Sequence, residues 1–107
     1  MRDERLGEVE ELLLLAVYAL GEDTYGVPVQ QYIERTTKRA VTMGAVYAAL
    51  DRLERKGFVR SITGEATAVR GGKRKRHFSI TAAGRQILRE VRTQRDKLWR
   101  AIEAGRS

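Results

Sequence analysis

Residues 43–63, MGAVYAALDRLERKGFVRSIT, change their periodicity at a single glycine. Before Gly57 the apolar residues Val46, Leu50 and Leu53 recur at helical spacing, with Tyr47 at the margin. After it the chain shortens its repeat to the alternation of a strand. Gly57 suits the left-handed residue of a Schellman cap, with Phe58 turned back toward Leu53. A second alternating run, RHFSI at 76–80, completes a hairpin whose long tip, GEATAVRGGKRK, is rich in glycine and cations. A helix that runs straight into a hairpin implies a mixed fold rather than a bundle.

The remaining elements are helical. Residues 8–20 place Val9, Leu12, Leu13, Ala16, Val17 and Leu20 at helical spacing, and Leu14 and Leu15 widen the stripe as in a helix packed on two sides or against a partner. Glu8, Glu10 and Glu11 occupy its first turn, where the macrodipole favours anions, and Gly21 closes it. A second helix is expected from about Tyr25 to Arg35. Thr24 is its candidate N-cap, Pro28 lies in its first turn, and Val29, Tyr32 and Ile33 form its buried face. Thr42 reads as the N-cap of the third helix. Thr81 reads as that of a last helix reaching about Ala104, whose Leu88, Val91, Leu98 and Ile102 follow a heptad pattern once Arg95 is counted in the seam. The predicted class is α+β, mainly helical.

At 107 residues the chain is one domain with a modest core. It has no cysteine and one histidine, His77, so disulfides, thiolate chemistry and a recognisable metal site are not expected. No nucleophile–base pair can be proposed, which argues against an enzyme, and no cofactor is implied. The first residues, MRDERLGEVEE, lack a signal-peptide core, and the longest apolar run, Leu12–Leu20, is too short to span a bilayer. A soluble, cytoplasmic protein without a membrane partner is the expectation.

Charge is unevenly placed. Residues 1–40 carry five cations and eight anions, residues 41–80 nine and three, and residues 81–107 seven and three, within a net +7. An acidic first third beside a basic middle suggests an oriented contact with a polyanion. The third helix has the shape for it. Gly44, Ala45 and Ala48 leave its outer face smooth enough for a major groove about 12 Å wide, and Arg52 is long enough to reach a guanine or a phosphate. The amides at Thr42, Met43 and Gly44 would aim at phosphate. Tyr25 and Tyr47 are candidate phosphate donors, and Lys73, Arg74, Lys75 and Arg76 would displace counterions or enter a narrow minor groove. Double-stranded DNA is the expected partner. One short reading helix contacts few bases, so a dimer is expected with its two reading helices about 34–36 Å apart.

The LLLLA-type first helix, Tyr25-Gly26, TMGAVYAALDRLERKGFV, GGKRKRHFSIT and Thr81-Ala-Ala-Gly84-Arg85 together resemble the PadR family of transcriptional regulators. The resemblance implies a winged helix-turn-helix domain over residues 1–80, with three helices and a two-stranded wing at about 58–80. Residues 81–107 would form an additional C-terminal dimerisation helix packed on the first, within the same compact unit. It implies a homodimeric repressor that reads a pseudo-palindromic operator with residues 42–56. The dimer interface would join Leu13 and Val17 to Leu88, Val91, Arg95, Leu98, Trp99 and Ile102. Some members of that family respond to small planar molecules, which makes Trp99 a candidate wall for an aromatic effector. Ala48 and Met43 stand where the family commonly has proline, and Pro28 where an acidic residue is frequent.

Plainer readings stand beside these. The KRKR run can be a solvated loop, the small residues of the third helix can pack on another helix, and Tyr25 and Tyr47 can be half-buried core aromatics. His77 reads as an ordinary strand residue, and Trp99 as an interface anchor. The main alternative function is a nonspecific nucleic-acid binder, of RNA or as a DNA architectural protein, using the same basic hairpin.

Overall fold

A computed structural model describes residues 5–21, 23–64 and 75–105. The order is α1 (Glu8–Leu20), α2 (Gly26–Thr37), α3 (Met43–Arg55), β1 (Val59–Thr63), β2 (Arg76–Ile80) and α4 (Ala82–Glu103). This is the mainly helical α+β architecture of a winged helix.

Local chemistry explains most boundaries. Thr42 Oγ1 accepts the Ala45 N–H at 3.1 Å, and Thr81 Oγ1 accepts the Gly84 N–H at 3.0 Å, so both predicted N-caps form. The end of α3 is a Schellman motif. Phe58 N–H bonds to Leu53 O at 2.9 Å and Gly57 N–H to Glu54 O at 3.0 Å, with Gly57 at φ 83°. The chain leaves that motif directly into β1. Strands β1 and β2 pair antiparallel from Val59↔Ile80 to Thr63↔Arg76.

Thr24 departs from expectation. The N-cap of α2 is Tyr25, which makes no side-chain cap, and the helix runs two residues past the expected Arg35. Thr24 instead pairs with Phe78: its N–H bonds to Phe78 O at 3.1 Å, and Phe78 N–H bonds back to Thr24 O at 2.6 Å. The connection between α1 and α2 thus lies along the free side of β2 as a single-residue third strand. A buried backbone pair outcompetes a capping hydroxyl here because the segment's amides need partners where water is excluded.

The core is one cluster drawn from all three amino-terminal helices, the sheet and the start of α4, with Leu13, Leu14, Val17, Val46, Leu50 and Phe78 fully buried. Leu13 and Val17, expected at a subunit interface, are interior residues of the protomer. The apolar side chains that α1 shows to solvent are Leu15 and Tyr18. The stripe is wide because α1 sits centrally, with Leu13, Leu14 and Val17 all turned into the protomer's own core. Ala49 also joins the core.

α4 is a lever. Its 22 residues span about 33 Å at helical rise. Leu88 is buried and Val91 half-buried, but Leu98, Trp99 and Ile102 are 66, 62 and 61 % exposed. The radius of gyration is 16.1 Å, against about 13 Å for a compact domain of this length. The carboxyl-terminal half of α4 projects from the body.

Gly84 seats the root of that lever. A Cβ there would collide with the Phe58 carbonyl oxygen and lie 2.8 Å from Ile80 Cγ1. The same carbonyl accepts the Thr81 N–H at 3.0 Å, so it has no room to yield. Gly84→Ala is expected to destabilise the fold by about 2–3 kcal/mol, read from the urea midpoint at unchanged slope.

Candidate nucleic-acid interface

The outward face of α3 carries Gly44, Tyr47, Ala48, Arg52 and Arg55, with Met43 half-buried at its start. Ala45, expected on this face, packs half-buried against the core. Gly44 and Ala48 therefore supply the smooth surface. Thr42 is exposed, and its hydroxyl is occupied by the Ala45 amide. The Met43 and Gly44 amides lie in the first turn, where helical geometry supplies no acceptor.

Tyr25, Tyr47 and Lys75 come together although they lie in three parts of the chain. With Arg76 they line a hollow of about 230 Å³ at the start of α2. The Lys75 Nζ sits 4.3 Å above the centroid of the Tyr25 ring. His77 meets the same ring edge-on, ring centroids 5.8 Å apart and planes at 80°. Tyr47 reaches back over Gly26, where a Cβ would lie 2.5 Å from its hydroxyl oxygen. That glycine is what lets a tyrosine of α3 lie across the first turn of α2. The result is two phenols and an ammonium beside a helix N-terminus, a donor-rich edge of positive potential.

Two side chains expected to meet DNA pair with carboxylates of the chain itself. Arg52 Nε bonds to Glu10 Oε2 at 2.8 Å, which draws the guanidinium toward α1. Arg76 Nη1 bonds to Asp51 Oδ1 at 3.0 Å and its Nη2 to Glu54 Oε1 at 2.6 Å. Lys73 and Arg74 lie outside the described residues.

Glu10 is the residue that sequence reasoning placed only as a helix-dipole partner. It is buried, and its carboxylate also accepts the Lys56 Nζ at 2.7 Å and the Gly7 N–H at 2.9 Å. Burial alone would raise its pKa. The Lys56 ammonium, the Gly7 amide and the Arg52 guanidinium outweigh that, and the net shift is downward from the ordinary value of 4.5. The helical spacing of Glu10 among apolar neighbours was the available signal, since it falls on the inner side of α1.

The candidate effector residue, Trp99, lines a cleft of about 340 Å³ between α1 and α4 with Leu15, Tyr18 and Arg92. Arg95, counted in the seam, bonds to Glu11 across that cleft at 3.2 Å. Among the described residues no cluster of histidine and carboxylate side chains could hold a metal ion, and no helix is long and apolar enough to cross a membrane.

The family model described as the transcriptional regulator PadR-like family matches residues 14–90. No curated protein matches the chain. Among solved structures, a transcriptional regulator from Clostridium thermocellum is 22% identical, covers 90% of this chain and 87% of its own, and superposes with a TM-score of 0.72. A PadR-like transcription factor from Bacteroides fragilis is 20% identical, covers 90% and 87%, and gives 0.75. A PadR family regulator from Clostridium difficile is 20% identical, covers 92% and 97%, and gives 0.69. At such identities these structures establish the fold.

The Glu10 cluster sets a dependence on pH. A carboxylate whose folded pKa lies below its unfolded value contributes stability that is fully present above about pH 4.5. That contribution fades as pH falls through the lower folded value. Glu10→Gln is expected to cost about 1–2 kcal/mol at pH 7, since Arg52 is partly exposed and solvent screens its share. The cost should shrink below pH 4, as urea titrations of both proteins across pH 3–7 would show.

Proposed function

Because the chain belongs to the transcriptional regulator PadR-like family, whose members are DNA-binding regulators of transcription rather than enzymes, we propose that it is a homodimeric repressor reading a pseudo-palindromic operator. The outer face of α3 enters the major groove. The observation that carries this reading is the smooth Gly44–Ala48 surface flanked on one side by Tyr25, Tyr47 and Lys75. A groove-sized face with phosphate donors along its edge matches a duplex, whose bases lie between two backbones. Met43, Gly44, Tyr47 and Ala48 meet the bases or the sugar edge. Tyr25, Lys75 and the first-turn amides of α3, beside Thr42, meet phosphate, and Lys73 and Arg74 extend the contact from the wing tip.

Dimerisation through α1 and α4 is supported by what those helices leave uncovered. Leu15 and Tyr18 on α1 and Leu98, Trp99 and Ile102 on α4 are large apolar side chains in water, and a second copy would remove them from it. Val91, Arg95 and the buried Leu88 back that surface. A planar effector has a place beside Trp99, in the cleft between α1 and α4, and its binding would alter the distance between the two reading helices. Such a protein acts where the chromosome is, in the cytoplasm.

The deciding experiment is fluorescence anisotropy against the protein's own upstream DNA and a scrambled duplex, across a range of salt. A preference of about a thousandfold or more is expected. Equal affinity with a steep salt slope would leave an operator elsewhere as the only place for specific reading, and would favour a nonspecific nucleic-acid binder.

Ala48→Glu places a carboxylate on the groove-facing surface. We expect operator affinity to fall by about a hundredfold or more, with stability changed by under about 0.5 kcal/mol because the side chain is exposed. Leu98→Glu with Ile102→Glu should yield a folded monomer in sedimentation at micromolar concentration. A dimer surviving that change would remove α4 from the interface.

A further inference from the structure

Arg76 opens β2 and lies against α3 rather than standing clear of it. Its guanidinium places one nitrogen 3.0 Å from Asp51 Oδ1 and the other 2.6 Å from Glu54 Oε1, with both carboxylates on α3. The second Glu54 oxygen, Oε2, accepts from Ser61 Oγ of β1 at 2.7 Å. The guanidinium also stacks over Phe78, 4.9 Å from the ring centroid. One carboxylate of the reading helix thereby holds both strands of the wing, and the fork of the arginine is filled at both ends.

From this geometry we propose that Arg76 is a positioning residue and not a phosphate ligand. The clasp of Asp51, Glu54, Ser61 and Arg76 fixes the angle between the wing and α3. It thereby fixes the spacing between their two footprints on DNA. The inference rests on the operator-reading function proposed above and assigns a division of labour within it.

Three physical points support it. An arginine paired with two carboxylates carries little net charge to offer a phosphate, and it displaces fewer counterions than a cation that is not so paired. A two-stranded hairpin has little stiffness of its own, so its tilt must be set by side chains along its length. All three charged members are between a third and a half exposed. At that exposure solvent screens the pairs, so the clasp supplies orientation more than stability.

The test is the salt dependence of binding by the full-length protein, on a duplex that it prefers and on a scrambled one. Arg76→Gln should leave the slope of log Kd against log salt as in the native chain. It should weaken the preferred duplex roughly tenfold and leave the scrambled one unchanged, since a mis-set wing costs discrimination and not charge. Lys75→Gln, by contrast, should lower the slope by about 0.9 per protomer. Asp51→Asn with Glu54→Gln frees Arg76 to reach phosphate, and the slope should rise by about 0.9 per protomer on both duplexes. Adding Arg76→Gln to that double variant should return it to the native value. The proposal is overturned if Arg76→Gln alone lowers the slope as Lys75→Gln does. It is also overturned if Arg76→Gln changes neither duplex, an outcome that leaves the operator reading intact. A native protein with no preference between duplexes overturns both.

Discussion

Phe78 is the residue around which the two halves of the structure meet. Its ring is fully buried in the helical core, while both its backbone groups are bonded to Thr24, at 2.6 and 3.1 Å. Its other neighbour is Ser61 of β1. A strand residue flanked by chain on both sides, with its side chain in the core, cannot shift without breaking buried amide bonds and opening a cavity together. The wing therefore grows out of the core instead of hanging from it. The same pairing places Tyr25 one residue beyond Thr24 and His77 one residue before Phe78, which is why their rings touch. The donor-rich edge beside α3 is a by-product of how β2 is anchored.

Features set by neighbours in sequence were legible from sequence alone. Thr42, Thr81 and the Gly57–Phe58 cap act within one helical turn, and the alternation at 76–80 needs only its own residues to be seen. Interactions across long separations were not. Glu10 and Arg52 lie 42 positions apart, and Arg76 and Glu54 lie 22 apart. No periodicity distinguishes an arginine that will find a carboxylate from one that will find solvent. Thr24 departs from its expected role for a related reason: a threonine before a helix is a good cap only when its backbone has no stronger demand, and here Phe78 makes one. On α1 the helical spacing separates Leu13 and Val17 from Leu15, but it does not say whether the protomer's own core or a second copy covers them; here the core does.

The net charge of +7 is a poor guide to the surface that meets a polyanion. Arg52 and Lys56 share Glu10, Arg76 takes Asp51 and Glu54, Arg39 takes Glu8, and Arg95 takes Glu11. These cations belong to the architecture. Lys75 has an aromatic face as its neighbour, and a cation over a tyrosine ring keeps its charge outward. Among the described residues, several cations are thus struts, and Lys75 is left beside Tyr25 on one side of α3.

The struts also explain how an event at α4 would be felt at α3. Helix α1 turns Leu15 and Tyr18 toward the uncovered face of α4, and it turns Glu10 toward Arg52 and Lys56. In a dimer built on the first of these surfaces, each reading helix is referred to the two-fold axis through α1, and the buried carboxylate makes that reference stiff. A ligand seated by Trp99 would press on α1 at the Tyr18 side of the same cleft. Under the proposed dimeric reading, a displacement of α1 too small to disturb the core would still change which half-site spacing fits. Glu11 and Arg95 couple α4 to α1 across that cleft, and Glu10 couples α1 to α3, so one helix carries both links.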